Sequence, residues 1–235
     1  LALTVTSPTL GGLGGSTNLA SVITWGYGSV TGLTLNTGSG QTFSYGGAVA
    51  DGASGMTLTK TGSGTQVLTG ASSHTGGTVV NGGVLQLGDG GTGGSIAGGV
   101  SLGNSSAALV FNRSDDTSFA GVISGTGAVI KRGGNTLTLS GSSTLATALA
   151  VEEGFVAIDW ISAAGAASPL GASGTLSLGA GATTGGLRYV GAAPATTNRV
   201  LNLSGTAGGG GTIDASGSGA LTVTGNLSGA ESSKT

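Results

Sequence analysis

Gly55-Met-Thr-Leu-Thr-Lys-Thr-Gly-Ser-Gly-Thr-Gln-Val-Leu-Thr-Gly-Ala-Ser-Ser-His-Thr-Gly-Gly-Thr-Val-Val-Asn-Gly-Gly-Val-Leu-Gln-Leu-Gly88 carries the pattern from which the architecture follows. Four short runs in it, Thr57-Leu-Thr, Gln66-Val-Leu, Thr78-Val-Val and Val84-Leu-Gln-Leu87, are rich in apolar or β-branched residues, and glycine-containing turns separate them. Most alternate apolar with small polar residues, the period of a strand with one buried face. Similar runs recur at Val100–Leu102, Leu109–Phe111, Thr136–Leu139, Leu176–Leu178 and Leu221–Val223. No window of helical length carries a 3.6-residue apolar period; residues 146–151 come nearest and are too short.

Repetition selects the architecture. Shifting the sequence by 71 residues lays Lys60 on Lys131, Gly62 on Gly133, Thr65 on Thr136, Leu68 on Leu139, Val80 on Val151 and Gly83 on Gly154. The apolar pairs Leu85/Val156 and Leu87/Ile158 fall in the same register. A unit this long with so many strands divides into about three coils of roughly 20 to 25 residues. The predicted fold is all-β, a right-handed parallel β-helix (β-solenoid). In it each strand bonds to its equivalent one coil away, and inward side chains stack into a narrow core. About ten such coils would give a rod of roughly 50 Å. Residues 1–50 form N-terminal coils with a weak repeat match, 51–125 a first repeat unit, 126–196 a second, and 197–235 the start of a further one, in one continuous solenoid. The sequence begins at Leu1 without a signal peptide and stops in mid-pattern, so a piece of a longer chain is expected. Leu68 and Leu139, Val80 and Val151, and Leu87 and Ile158 are expected to face inward.

Composition agrees. Glycine supplies 52 of 235 residues and charged residues only 7%, against about 7% and 25% in ordinary domains. Collagen is excluded by the lack of a three-residue glycine period and by only three prolines. Frequent sharp turns account for the glycine. A net charge of -2 gives no basic field for nucleic acid. There is no cysteine, hence neither disulfide nor thiolate site. No apolar run approaches the roughly 18 residues of a spanning helix, and 4% aromatics is thin for the girdles of a membrane barrel. Membrane insertion of this segment is not expected.

Residues 55–88 closely resemble the autotransporter-associated β-strand repeat, whose pattern runs Leu-Thr-Lys-x-Gly, Thr-Leu-x-Leu-x-Gly, Thr-Gly-Gly-Thr-x-Val and Gly-x-Leu-x-Leu-Gly. A degraded copy spans about 126–159, where Leu145-Ala-Thr-Ala replaces the Thr-Gly-Gly element. The stretch from Asn198 through Gly225 looks like the spacer between such repeats. About two thirds of the chain is covered. The resemblance implies a secreted, surface-displayed passenger-like β-helix of bacterial origin, with a repeat tied to export and folding and no catalytic residues to carry over.

Candidate sites are sparse. His74, the single histidine, lies in a Ser-Ser-His-Thr-Gly-Gly turn and is expected to be a solvated loop residue, with no partners for a zinc site or a triad. Asp115-Asp116 and Glu152-Glu153 are the adjacent acid pairs; neighbours in a strand point to opposite faces, so neither pair makes a two-carboxylate site within a strand. Both are expected in exposed turns. Gly88-Asp-Gly-Gly-Thr-Gly93 fits G-x-G-x-x-G, but no helix follows to hold a phosphate. Gly208-Gly-Gly-Gly-Thr-Ile-Asp214 approaches a calcium nonapeptide with its Asp one residue late and is expected to be a turn. Lys60, Lys131 and Lys234 recur near one repeat position, as edge or corner lysines that discourage mispairing. Trp25 with Tyr27 and Phe43 with Tyr45 fall at i and i+2, so each pair would share a strand face. They form either a stacked core or end-cap, or an exposed strip for sugars or a partner, and are the candidate interaction residues. Catalytic, cofactor-binding and metal-binding residues: none are expected.

Three functions compete. The first is a structural and adhesive segment of a surface solenoid, with reach and many weak contacts. The second is a subunit of an extracellular filament or sheath stacking end to end. The third is a polysaccharide-degrading β-helix enzyme, which the poverty of acids, histidine and arginine disfavours. Partners would be neighbouring copies of the chain or other extracellular polymers.

Overall fold

The computed structural model describes residues 4–206 and 208–229. The chain divides into two compact units, Leu1–Arg113 and Ser114–Thr235. Both are built from short strands stacked in parallel register, as the alternation and the repeat predict.

In the first unit one ladder runs through Thr9–Leu10, Gly32–Asn36, Thr57–Thr61, Thr78–Val80 and Val100–Leu102. A second runs through Thr42–Tyr45, Thr65–Leu68, Gly83–Leu87 and Ala107–Asn112. A third, of two short strands, pairs Ala71–Ser72 with Ser95–Ile96. The chain visits the three ladders in turn, which is a solenoid. Regular helix among the described residues of this unit is confined to Leu19–Val22 and a single 3₁₀ turn at Tyr27–Ser29.

The second unit repeats the plan. One ladder holds Ala128–Arg132, Leu149–Val151, Thr175–Gly181, Val200–Gly205 and Leu227–Gly229. Another holds Thr117–Phe119, Thr136–Leu139, Gly154–Ile158, Thr184–Tyr189 and Gly210–Asp214. Ala195–Thr197 pairs with Leu221–Val223. Leu149–Val151, the nearest thing to a helical pattern in the sequence, is a strand because Leu149 and Val151 bury while Ala150 is only half-buried.

Register makes the core a set of side-chain columns. Tyr45, Leu68, Leu87 and Phe111 pair successively and are all buried. So are Val129, Leu149, Leu176 and Leu201. Leu139, Val80, Val151 and Ile158 bury as the alternation requires. Each fully buried aliphatic side chain contributes about 1.5–3 kcal/mol relative to exposure. The columns therefore carry most of the stabilisation.

Corners need glycine at defined points. Gly83 and Gly154, equivalent in the 71-residue repeat, have φ of 63° and 69°. A Cβ on either would meet a carbonyl oxygen of the preceding coil, Gly64 O at 2.3 Å and Asn135 O at 2.4 Å. Neither position tolerates a side chain.

Candidate functional site

The first coil corner of the repeat is where polar side chains enter the stack. Thr57-Leu-Thr-Lys-Thr61 alternates, so Lys60 points the way of Leu58, into the interior. It occupies a column with Leu35, Val80 and Leu102, all four fully buried. Its Nζ donates to the carbonyl oxygens of Thr61 (2.7 Å), Gly62 (3.0 Å) and Gly82 (3.0 Å). The last belongs to the next coil. A buried ammonium is tolerable only with such pairing, and burial still pushes its pKa down to about 8.

Lys131 repeats the arrangement in a column with Val151 and Leu178. Its ammonium donates to Arg132 O (3.1 Å), Gly133 O, Asn135 Oδ1 (2.7 Å) and Glu153 O (3.1 Å). Burial again lowers its pKa to about 8, with the charges of Glu153 and Asp116 partly offsetting. The expected edge or corner lysine is therefore corrected: both lysines sit at corners, but they point inward and tie successive coils together. Lys234 lies outside the described residues.

His74 is also corrected. It is fully buried, because the turn folds back against the preceding coil through Ser73 N and His74 N donating to Val49 O at 2.9 and 3.2 Å. Its Nε2 meets Thr78 Oγ1 at 2.9 Å, and Nδ1 has no hydrogen-bond partner. Turn composition hid this burial.

The aromatic candidates separate. Trp25 is 77% exposed and Tyr27 is buried; they share no strand, since Gly26 at φ 83° stands between them and caps the 3₁₀ turn that begins at Tyr27. Phe43 is half-buried and Tyr45 buried in the strand Thr42–Tyr45. Both tyrosines brace the irregular first coil, Tyr27 OH donating to Ala50 O at 2.5 Å and Tyr45 OH to Thr17 O at 2.7 Å.

The acid pairs do not converge. Asp116 accepts from Thr136 N at 2.7 Å and Glu152 pairs with Arg132 at 2.7 Å, both in ordinary coil corners. Asp115 is half-buried with its carbonyl accepting from Asn135 at 2.5 Å, and Glu153 is exposed. Gly88–Gly93 is a turn, with Asp89 Oδ1 accepting from Gly91 N at 3.2 Å. Gly210–Asp214, expected as a turn, is a strand paired with Thr184–Arg188, and Asp214 pairs with Arg188 at 2.7 Å.

Arg199 was not singled out by its sequence context. It is buried, with no carboxylate among its bonded partners, and its guanidinium is ringed by Ser162 O (3.3 Å), Ser173 O, Ala166 O (3.3 Å), Ser168 Oγ (3.0 Å) and Gly171 O (2.6 Å). One side chain thus holds the Ser162–Ser173 loop to the coil that follows it.

Near Lys60, a corner depression of about 300 Å³ is lined by Gly62, Ser63, Asn81, Gly82, Gly83 and Ser106. It offers backbone, hydroxyl and amide groups but no acid or base for chemistry. Among the described residues no group of three or more His, Cys, Asp or Glu stands close enough to hold a metal ion, and no helix is long and apolar enough to cross a membrane.

The family model for the passenger-associated-transport-repeat matches residues 58–87 and 129–158. Each match opens on a strand that carries a buried lysine and closes on a ladder strand, Gly83–Leu87 or Gly154–Ile158. An adhesin autotransporter of Brucella suis biovar 1 (strain 1330), BmaC, is 43% identical over 82 residues, covering 34% of this chain and 2% of that protein. The chain thus spans a small part of this relative's length. No solved structure matches.

Proposed function

We propose that this chain, a parallel β-solenoid in which two segments match the passenger-associated-transport-repeat, serves as a non-catalytic structural and adhesive segment of an autotransporter-passenger-like protein displayed at, or released from, a bacterial surface. The observation that carries this reading is the pair of matched repeats, each coinciding with stacked parallel coils and holding no convergent acid–base or metal constellation. Such a stack presents regular faces whose contacts are individually weak and numerous, so binding to another surface is distributed along it. Neighbouring copies of the chain, or other extracellular polymers, are the partners in this reading. The exposed Trp25 is its best single contact candidate.

Surface display of the chain on a non-adherent cell tests this. Changing Asp115, Asp116, Glu152 and Glu153 together to Asn or Gln leaves adhesion intact, whereas deleting one 71-residue repeat period weakens it. Loss of adhesion in the four-residue variant, or turnover of a polysaccharide by the parent chain, overturns the proposal. Concentration-dependent fibres from the purified chain would favour a filament subunit instead.

A further inference from the structure

The chain has one histidine, and histidine is the side chain that ordinarily changes charge between pH 5 and 8. His74 sits in a tightly bonded corner. Ser73 N and His74 N donate to Val49 O, Gly76 N donates to Met56 O at 3.1 Å, and Thr75 is held by Asp51 through its N (2.8 Å) and Oγ1 (2.6 Å). The neutral ring fits here because Thr78 Oγ1 serves Nε2.

A second proton makes both ring nitrogens donors. Nε2–H keeps Thr78 Oγ1, but Nδ1 has no hydrogen-bond partner in the closed corner, and the Val49 carbonyl, which favours the charged ring, already accepts two backbone N–H groups. The charged neighbours give little help. In the segment 49–56 the one titratable group is Asp51, whose carboxylate is engaged by Thr75 and by Gly55 N at 3.3 Å. Segment 71–80 has no other titratable residue and 95–102 has none. Tyr27, bonded to Ala50 O, stays neutral throughout this range. A buried unpaired imidazolium is expensive, so the charge is driven towards water.

We propose that His74 is an acid-release pin: protonation expels its ring and opens the Ser73–Gly77 corner while the strand ladders of the first unit stay paired. Opening frees the carbonyls of Val49 and Met56, whose side chains are fully buried in the closed form, and so gives this unit an accessible edge in acid that it lacks at neutral pH. Burial holds the ring's pKa below its ordinary value, and the Val49 backbone and the Asp51 charge offset only part of that. The open corner therefore takes the proton more readily than the closed one. Below about pH 6.5, and down to the closed-state pKa, opening gains up to roughly tenfold per pH unit.

The test joins an NMR titration of the single imidazole to amide hydrogen exchange at Ser73, His74 and Gly76, corrected for intrinsic rates, from pH 7.5 to 5. In the unaltered chain, protection at these amides falls by up to roughly tenfold per pH unit between about 6.5 and the closed-state pKa that the titration reads, while that at Leu58 and Leu85 holds. In His74→Gln and His74→Phe the fall disappears. A ring that titrates at or above its ordinary pKa with the corner still protected overturns the proposal, and this result needs no variant to fold. The same fall in either variant also overturns it.

Discussion

The side-chain amide of Gln66 takes the place of a strand for Leu13: its Oε1 accepts from Leu13 N at 2.8 Å and its Nε2 donates to Leu13 O at 3.0 Å. Gln66 is fully buried, and Nε2 also reaches Phe43 O and Val67 O. One side chain thus joins three levels of the first unit. Gln66→Leu preserves volume but leaves both Leu13 groups dry, at about 1–3 kcal/mol for each. The expected result is a lower urea midpoint, with the earliest loss of amide protection at Leu13; an unchanged midpoint would show that the side-chain pairing is dispensable.

The buried lysines give a second prediction. Lys60→Met keeps the apolar stem but removes the donor shared by Thr61, Gly62 and Gly82. Thr61 O keeps Thr37 N, but the carbonyls of Gly62 and Gly82 cannot be deleted with the donor, so destabilisation of about 1–3 kcal/mol is expected for each that stays dry. Lys131→Met should behave alike, while retaining Asn135. Denaturant melts of the two variants check this, and a raised midpoint would mean that the desolvation of the ammonium outweighs its bonds.

Stability also depends on pH in a stated direction. Lys60 and Lys131 have folded pKa values near 8 against about 10.4 unfolded. Between these values the unfolded chain binds more protons, so stability rises with pH. Tyr27 is pushed up to about 12, chiefly by burial. Above about pH 10 the unfolded tyrosine ionises first and stability falls. Melting temperatures from pH 7.5 to 11 should pass through a maximum near about 10, and the double lysine variant should lose the rising limb.

Arg199→Ala should release the Ser162–Ser173 loop without unpairing the ladders around it. Five acceptors lose the guanidinium at once; Ser162 O keeps Thr197 Oγ1, Gly171 O keeps Ser168 Oγ and Ser168 Oγ keeps Leu170 N. Limited proteolysis is expected to cut within this loop in the variant and to spare it in the parent. Arg199→Lys should rescue only partly, because a point charge cannot span the ring that a planar fork fills.

Much of this architecture is legible in the sequence, because period-2 alternation and the 71-residue shift both report side chains that must bury. Leu68, Val80, Val151 and Ile158 lie inside as those patterns require. Lys60 was legible too, since Thr-Leu-Thr-Lys-Thr puts it on the face of Leu58, but its charge argued for the surface. The pairing that offsets that charge comes from carbonyls, which carry no sequence signal. Trp25 and Tyr27 misled for a local reason: Gly26 at φ 83° breaks the strand on which an i, i+2 relation depends. His74 and Arg199 were opaque because their burial is set by loops folding back on neighbouring coils, and loop paths leave no periodic trace.

The Arg199 loop also bears on how such chains diverge. Gly154 pairs with Gly185, 31 residues on, whereas Thr136 pairs with Phe155, 19 residues on. Both intervals return the chain to the same ladder in step, because the surplus is taken up in and around the Ser162–Ser173 loop. Length and alignment are therefore uncoupled at that corner. It is a natural graft point, where foreign sequence can be gained or discarded across generations provided that an arginine or its equivalent closes the loop's base.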